Sequence, residues 1–134
     1  MKLVLAILLA ASSVVSVTPS EDFLLTKAAV DFHKTLPAEI VRVRHVRFGQ
    51  VFSPENEKQD VLCGEFMSAG KTGNQWISFA TIKSRYQGSE GGKYEQWIGG
   101  QAEVVCKVGN VTTSDDRDLS STLQQRLDHF SKSK

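Results

Sequence analysis

Asp60 to Met67 reads D-V-L-C-G-E-F-M, and Ala102 to Val108 reads A-E-V-V-C-K-V. In the first run apolar residues occupy both parities. Val61, Cys63 and Met67 fall on one face of an extended strand, and Leu62 and Phe66 on the other. A strand covered on both faces belongs in the middle of a sheet. In the second run Ala102, Val104, Cys106 and Val108 share a face, which turns Cys106 inward. Cys63 and Cys106 are the two cysteines of the chain. Their placement predicts a disulfide across the fold, worth about 4 kcal/mol by the chain-entropy argument.

That bond needs an oxidising compartment, and the first residues point to one. Met1-Lys2 is a positive start, Leu3 to Ala11 an apolar core, and Ser12 to Val17 a small-residue exit. These are the three parts of a secretory signal peptide, with cleavage expected after Ser16. The apolar core is too short for a membrane span, which takes roughly 20 residues. About 118 residues then remain, one domain spanning 17–134. Lys2 leaves with the leader, so 15 of the 16 basic residues face 15 acidic ones. A near-neutral chain is a poor match for a dedicated nucleic-acid or anionic-membrane binder.

Around the central strand the chain reads in order. Ser20 is a candidate N-cap, and Leu25, Ala28, Ala29, Phe32 and Leu36 follow at helical spacing, predicting a helix from Glu21 to Thr35 that Pro37 ends. From Glu39 to Phe52 the period changes to two. Val41, Val43 and His45 face one way and Arg42 and Arg44 the other. After His45 the phase flips, with Val46 and Phe48 alternating with Arg47, and a phase flip marks a bulge or bend. Ser68 to Gln75 reads as a hairpin loop, Trp76 to Ile82 as a strand, and Lys83 to Lys93 as a Gly-rich connection. Tyr94 to Val108 reads as a hairpin turning at Gly99-Gly100. A last helix, capped by Thr113 or Ser114 and opened by Asp115, Asp116 and Asp118, carries a stripe of Leu119, Leu123, Leu127 and Phe130. The fold class is therefore α+β: a single domain, an antiparallel sheet of four to five strands flanked by an N-terminal and a C-terminal helix.

Chemistry is sparse. Glu65 is in phase with Val61, Cys63 and Met67. Alternation therefore turns its carboxylate inward, where partial burial would raise its proton affinity and suit a general acid or base. The plainer alternative is an ion pair with an arginine of the neighbouring strand. Arg42, Arg44, His45 and Arg47 form the basic cluster, with Trp76, Tyr86 and Trp97 as aromatic neighbours. Basic and aromatic residues together hold single-stranded nucleic acid, but here an anionic glycan or an acidic partner protein fits the charge and address better. A reactive Cys63 with His45 as its base is the alternative to the disulfide. His33, His45 and His129 lie on three different elements and no C-x-x-C is present, so no metal is expected. Gly88 to Gly92 lacks the G-K-[ST] of a phosphate loop, and Ser78 lacks the setting of a hydrolase nucleophile. Asn110-Val111-Thr112 matches a glycosylation sequon.

At D-V-L-C-G-E-F the chain resembles a group of short, exported proteobacterial proteins of unassigned function. Those carry a V-C-G-E-V-N-A-K-N stretch, a Gly-rich turn and an aromatic strand. Cys63, Gly64 and Glu65 match, and Gly73 and Trp76 suit the turn and the aromatic. Met67 stands where that pattern has asparagine, and its lysine and second asparagine are missing. The likeness covers about 20 of the 134 residues. It implies a periplasmic or secreted home and imports no activity.

The combined expectation is an exported, non-enzymatic module binding a protein or envelope component, with no cofactor, no metal, no nucleic acid and no transmembrane segment in the mature chain. Its candidate contacts are Arg42, Arg44, His45, Arg47, Glu65, Trp76, Tyr86 and Trp97. Two alternatives stand beside it. One is an inhibitor or immunity-type protein that plugs a secreted hydrolase with the Ser68–Gln75 or Lys83–Lys93 loop. The other is a small enzyme using Glu65 and His45.

Overall fold

The computed structural model describes residues 16–52, 58–83, 93–108, 112–113 and 117–132. The expected leader lies outside them apart from Ser16. Helix α1 (Pro19–Thr35) starts two residues before the position expected from Ser20. Thr18 is the N-cap. Its hydroxyl accepts from the Glu21 amide at 3.2 Å, and the Glu21 carboxylate accepts from the Thr18 amide at 2.9 Å. Pro19 sits at the first helical position, where its missing N–H costs nothing. A reciprocal cap satisfies two orphan amides where Ser20 would satisfy one, which moves the helix start. Glu21 is buried, and its other oxygen pairs with Arg117.

Five strands follow: β1 (Arg42–Phe52), β2 (Lys58–Met67), β3 (Ile77–Lys83), β4 (Tyr94–Ile98) and the two-residue β5 (Thr112–Thr113). They form one antiparallel sheet in the order β4-β3-β2-β1-β5, with β2 central as its doubly apolar pattern requires. Helix α1 and the C-terminal helix, α3 (Ser120–Lys132), lie on the same face. Leu24, Leu25, Ala28 and Phe32 of α1, with Leu119, Leu123 and Leu127 at and in α3, meet Val43, Val46, Leu62, Phe66 and Phe79. Phe32 is the hinge pin of that layer. Its ring stands 4.8 Å from Phe66 and 5.2 Å, edge-on, from Phe79. Each such ring contributes about 2–3 kcal/mol by burial alone. Gly64 faces the same layer. A Cβ there would come within 2.9 Å of both Phe79 and Val46, so their side chains occupy the space a larger residue would need.

The segment after β4 departs from the expected hairpin. Gly99, at φ +80°, turns the chain off the sheet into a short helix, α2 (Gly100–Glu103), which runs on as a π-helical turn, Val104–Val108. Topology gives the reason. β4 is one edge of the sheet and β5 pairs with β1 at the other, so the chain must cross the second face between them. A-E-V-V-C-K-V satisfies both periods. Ala102, Val105 and Cys106 are the inward set at helical spacing, and Val104, inward on a strand, is 58% exposed. Midway across, Cys106 is bonded to Cys63 of the central strand, with Cα atoms 6.0 Å apart. Among the described residues no helix is long and apolar enough to cross a membrane.

The α3 expectation also needs correcting. Residues 114–116 lie outside the described set, and the helix begins at Ser120, with its amide bonded to Asp118 Oδ1 at 2.8 Å. Its apolar stripe is as read. Its polar side does something the sequence did not suggest. The Gln124 amide group accepts from the Val43 N–H at 3.0 Å and donates to the Val41 carbonyl at 2.9 Å. It thus occupies the free edge of β1 as a neighbouring strand would, and β5 pairs further along the same edge at Gly49 and Gln50. An edge so covered is closed to another chain.

Candidate functional site

Everything distinctive sits on the second face. The crossover segment covers half of it, over Val51, Val61, Ala80, Ile82 and Trp97. The other half is open and polar. Register places Arg44 opposite Glu65 and Glu65 opposite Ser78, one row across three strands. The next row is Arg47, Cys63, Ala80 and Trp97.

The bulge anticipated from the phase flip supplies the missing member. Pairing slips between Arg44 and Arg47, and His45 adopts φ +56°. An imidazole-bearing residue at positive φ costs on the order of 1 kcal/mol. The bulge also turns out the backbone of Val46, whose N–H donates to the Ser120 hydroxyl at 2.9 Å and whose carbonyl accepts from the Leu119 amide at 2.7 Å. These two bonds at the start of α3 offset the strain. Without the bulge His45 would follow Val43 toward the helices. With it, the ring comes round to Glu65, Nδ1 lying 3.2 Å from Oε1.

Glu65 Oε1 also accepts from Arg44 Nε at 2.7 Å, and the Arg44 guanidinium lies 4.3 Å above the Trp76 ring. The Arg44 hydrogen bond, with His45 beside it, holds the Glu65 carboxyl below its ordinary range despite partial burial. Glu65 is therefore ionised at neutral pH. The inward carboxylate of raised proton affinity does not form, because the arginine of the adjacent strand captures it. With the Arg44 side chain 43% exposed, such a pair contributes no more than about 1 kcal/mol. The stacking on Trp76 adds about as little. These contacts order the side chains more than they stabilise the fold.

A cavity of about 240 Å³ opens here, lined by His45, Cys63, Glu65, Ser78, Cys106 and Lys107. Asp118 flanks it. Partial burial pushes its carboxyl up, but hydrogen bonds from Ser120 and the nearby Arg47 and His45 outweigh that and leave it below the usual range. Ser78, Lys107 and Asp118 were missed by sequence reading. Lys107 was within reach of it, since a Cys63–Cys106 bond places the residue after Cys106 beside the one after Cys63. The other two needed the register and the α3 docking.

The structure thus brings together Arg44, His45, Glu65 and Trp76. Arg47 lies in the next row. Arg42 opens β1 across from Met67, exposed and outside the cluster. Trp97 is half-buried under the crossover, packed with Cys63, Val105 and Cys106. Tyr86 lies outside the described residues. The Cys63 thiol proposed for His45 is consumed by the disulfide. The Ser68–Gln75 loop, named as a possible plug, is braced: Glu39 Oε1 accepts from the Gly70 and Lys71 amides at 3.0 Å each, and Thr72 bridges to Ser68. Among the described residues no group of three or more potential metal ligands occurs. No protein-family model, curated protein or solved structure matches this chain.

Proposed function

We propose that this is an exported, disulfide-bonded binding protein that engages a protein or envelope component through the open half of its second sheet face. One observation carries the reading: Arg44 is held between the Trp76 ring and the Glu65 carboxylate while its side chain stays 43% exposed. Ordering a long cation on an aromatic where it adds little stability lowers the entropy lost when a partner arrives. Aromatic and arginine side chains are also the residues that dominate binding energy at interfaces. The N-terminal sequence and the disulfide support an oxidising compartment.

Two measurements test it. The intact mass of protein recovered from the producing cell should lack residues 1–16, with both thiols unreactive until reduction; a full-length mass with two free thiols would overturn the export reading. Co-sedimentation with the envelope fraction should fall at least about tenfold for Arg44→Glu with the fold retained. Unchanged sedimentation would remove the open face from the account.

The 3.2 Å contact between His45 and Glu65 supports a second reading, a small hydrolase in which Glu65 orients the imidazole and Nε2 acts as base. It requires turnover of some chromogenic ester or phosphoester that His45→Ala abolishes.

A further inference from the structure

A second concavity lies at the end of the sheet where β1 begins and β2 runs out. It measures about 430 Å³, and Ile40, Met67 and Ala69 supply its apolar lining, with Arg42, Glu39 and Asn74 at the rim. Three features set it apart from an ordinary surface dip. Ile40 is 73% exposed, the largest exposure among the large hydrophobic residues described. One wall is rigid. The Glu39 carboxylate binds the amides of Gly70 and Lys71, the Asn74 amide donates to the Ser68 carbonyl at 3.0 Å, and a Cβ at Gly70 would collide with Glu39 at 2.8 Å. The charges at the rim are unequal in availability. Glu39 is committed to those amides, and the Ser68 hydroxyl, followed by the amides, holds its carboxyl below the usual range. Arg42 has no ion pair or hydrogen bond among the described residues, in contrast to Arg44, Arg117 and Arg126.

An apolar trough with a stiff wall and one available guanidinium is complementary to an apolar side chain next to a carboxylate. We infer that this groove takes an extended acidic–apolar segment of a partner protein. The apolar side chain lies over Ile40, Met67 and Ala69, and a carboxylate one or two residues along pairs with Arg42. Arg42 and Arg44 are two apart on the same strand and so on the same face, which puts the rim of the groove on the same side of β1 as the Arg44–Trp76 pair. The inference rests on the binding function proposed above and names the chemistry of the partner.

The test uses the mature protein, isotope-labelled, titrated with the blocked peptide Ser-Asp-Leu-Asp-Ile-Ser and followed by amide and indole NMR shifts. Shifts are expected at residues 38–42 and 67–74 and at the Trp76 indole, saturating at micromolar to low-millimolar peptide. Lysine in place of both aspartates should abolish them. Serine in place of leucine and isoleucine should weaken binding at least about tenfold. Arg42→Glu, with the spectrum otherwise unchanged, should also abolish them, and Ile40→Ser should weaken them. An unresponsive groove at millimolar peptide overturns the inference, as does binding indifferent to Arg42→Glu. Decanoate shifting the same residues as strongly as the peptide would make the occupant a fatty acid and overturn it equally. If the groove fails while envelope binding persists and still depends on Arg44, only this inference falls. If both fail, the binding function falls with it.

Discussion

Gly64→Ala is the most exacting substitution the fold offers, because one methyl group is added where two buried side chains already meet. The new Cβ would stand 2.9 Å from Phe79 Cε1, 2.9 Å from Val46 Cγ2 and 3.1 Å from Phe79 Cζ. Neither neighbour can swing aside. Phe79 is fully buried with its ring against Phe32, and Val46 is tied by its backbone to the start of α3. Overpacking of this kind costs about 1–3 kcal/mol. Gly64 does not have a positive φ, so alanine also restricts the unfolded chain and returns about 0.4–1 kcal/mol. The net expectation is a loss of about 1–2 kcal/mol, read as a lower urea midpoint at unchanged slope. A double-mutant cycle makes the reasoning sharper. Phe79→Leu alone should destabilise, but it opens the space the methyl needs. Gly64→Ala should therefore cost at least about 0.5 kcal/mol less in the Phe79→Leu background. Equal or greater stability of Gly64→Ala alone, or strict additivity of the pair, would refute the packing argument and with it the reason for glycine beside Cys63.

Three further outcomes follow from the same geometry. Gln124→Ala leaves the Val43 amide and the Val41 carbonyl without their partner and should cost about 1–2 kcal/mol, with faster hydrogen exchange at Val43; exchange unchanged at that amide would mean the edge is not closed by Gln124. Glu21→Gln breaks a pair whose glutamate side chain is 2% exposed, and it should cost about 2–3 kcal/mol, less than a fully buried pair because Arg117 reaches solvent; thermal unfolding at unchanged temperature would contradict this. The Tyr94 phenol, desolvated and donating to Asp31 at 3.0 Å, is pushed up from 10.0 to about 12. Its stabilising contribution is complete below pH 10 and is lost as pH rises toward 12, so the tyrosinate absorbance lost in Tyr94→Phe should titrate near 12, and a midpoint near 10 would exclude the contact.

The parts of the fold legible in the sequence were those written in local periodicity. Two-sided apolarity marked β2 as central, and the phase flip after His45 marked the bulge. The α3 stripe was visible because its residues touch one layer at one spacing. The crossover was illegible for a definite reason: A-E-V-V-C-K-V fits both a strand and a helix, and only the need to pass from one sheet edge to the other decides between them. The site was half legible. That Glu65 could pair with an arginine was foreseeable, but that the partner is Arg44, with His45 turned to the same oxygen, depends on the register and the bulge together. Gln124 closing the β1 edge is a contact across 81 residues, and no local pattern records it.

We propose that this chain meets its partner on the open half of the second face. A photo-crosslinking residue at position 78, at the β3 end of the Arg44–Glu65–Ser78 row, tests it in the cells that make the protein, with position 125 on the exposed side of α3 as the control. A discrete higher-mass adduct from position 78, absent at 125 and lost when Arg44→Glu is added, is the predicted result. No adduct from 78, or one at 125 alone, would contradict it.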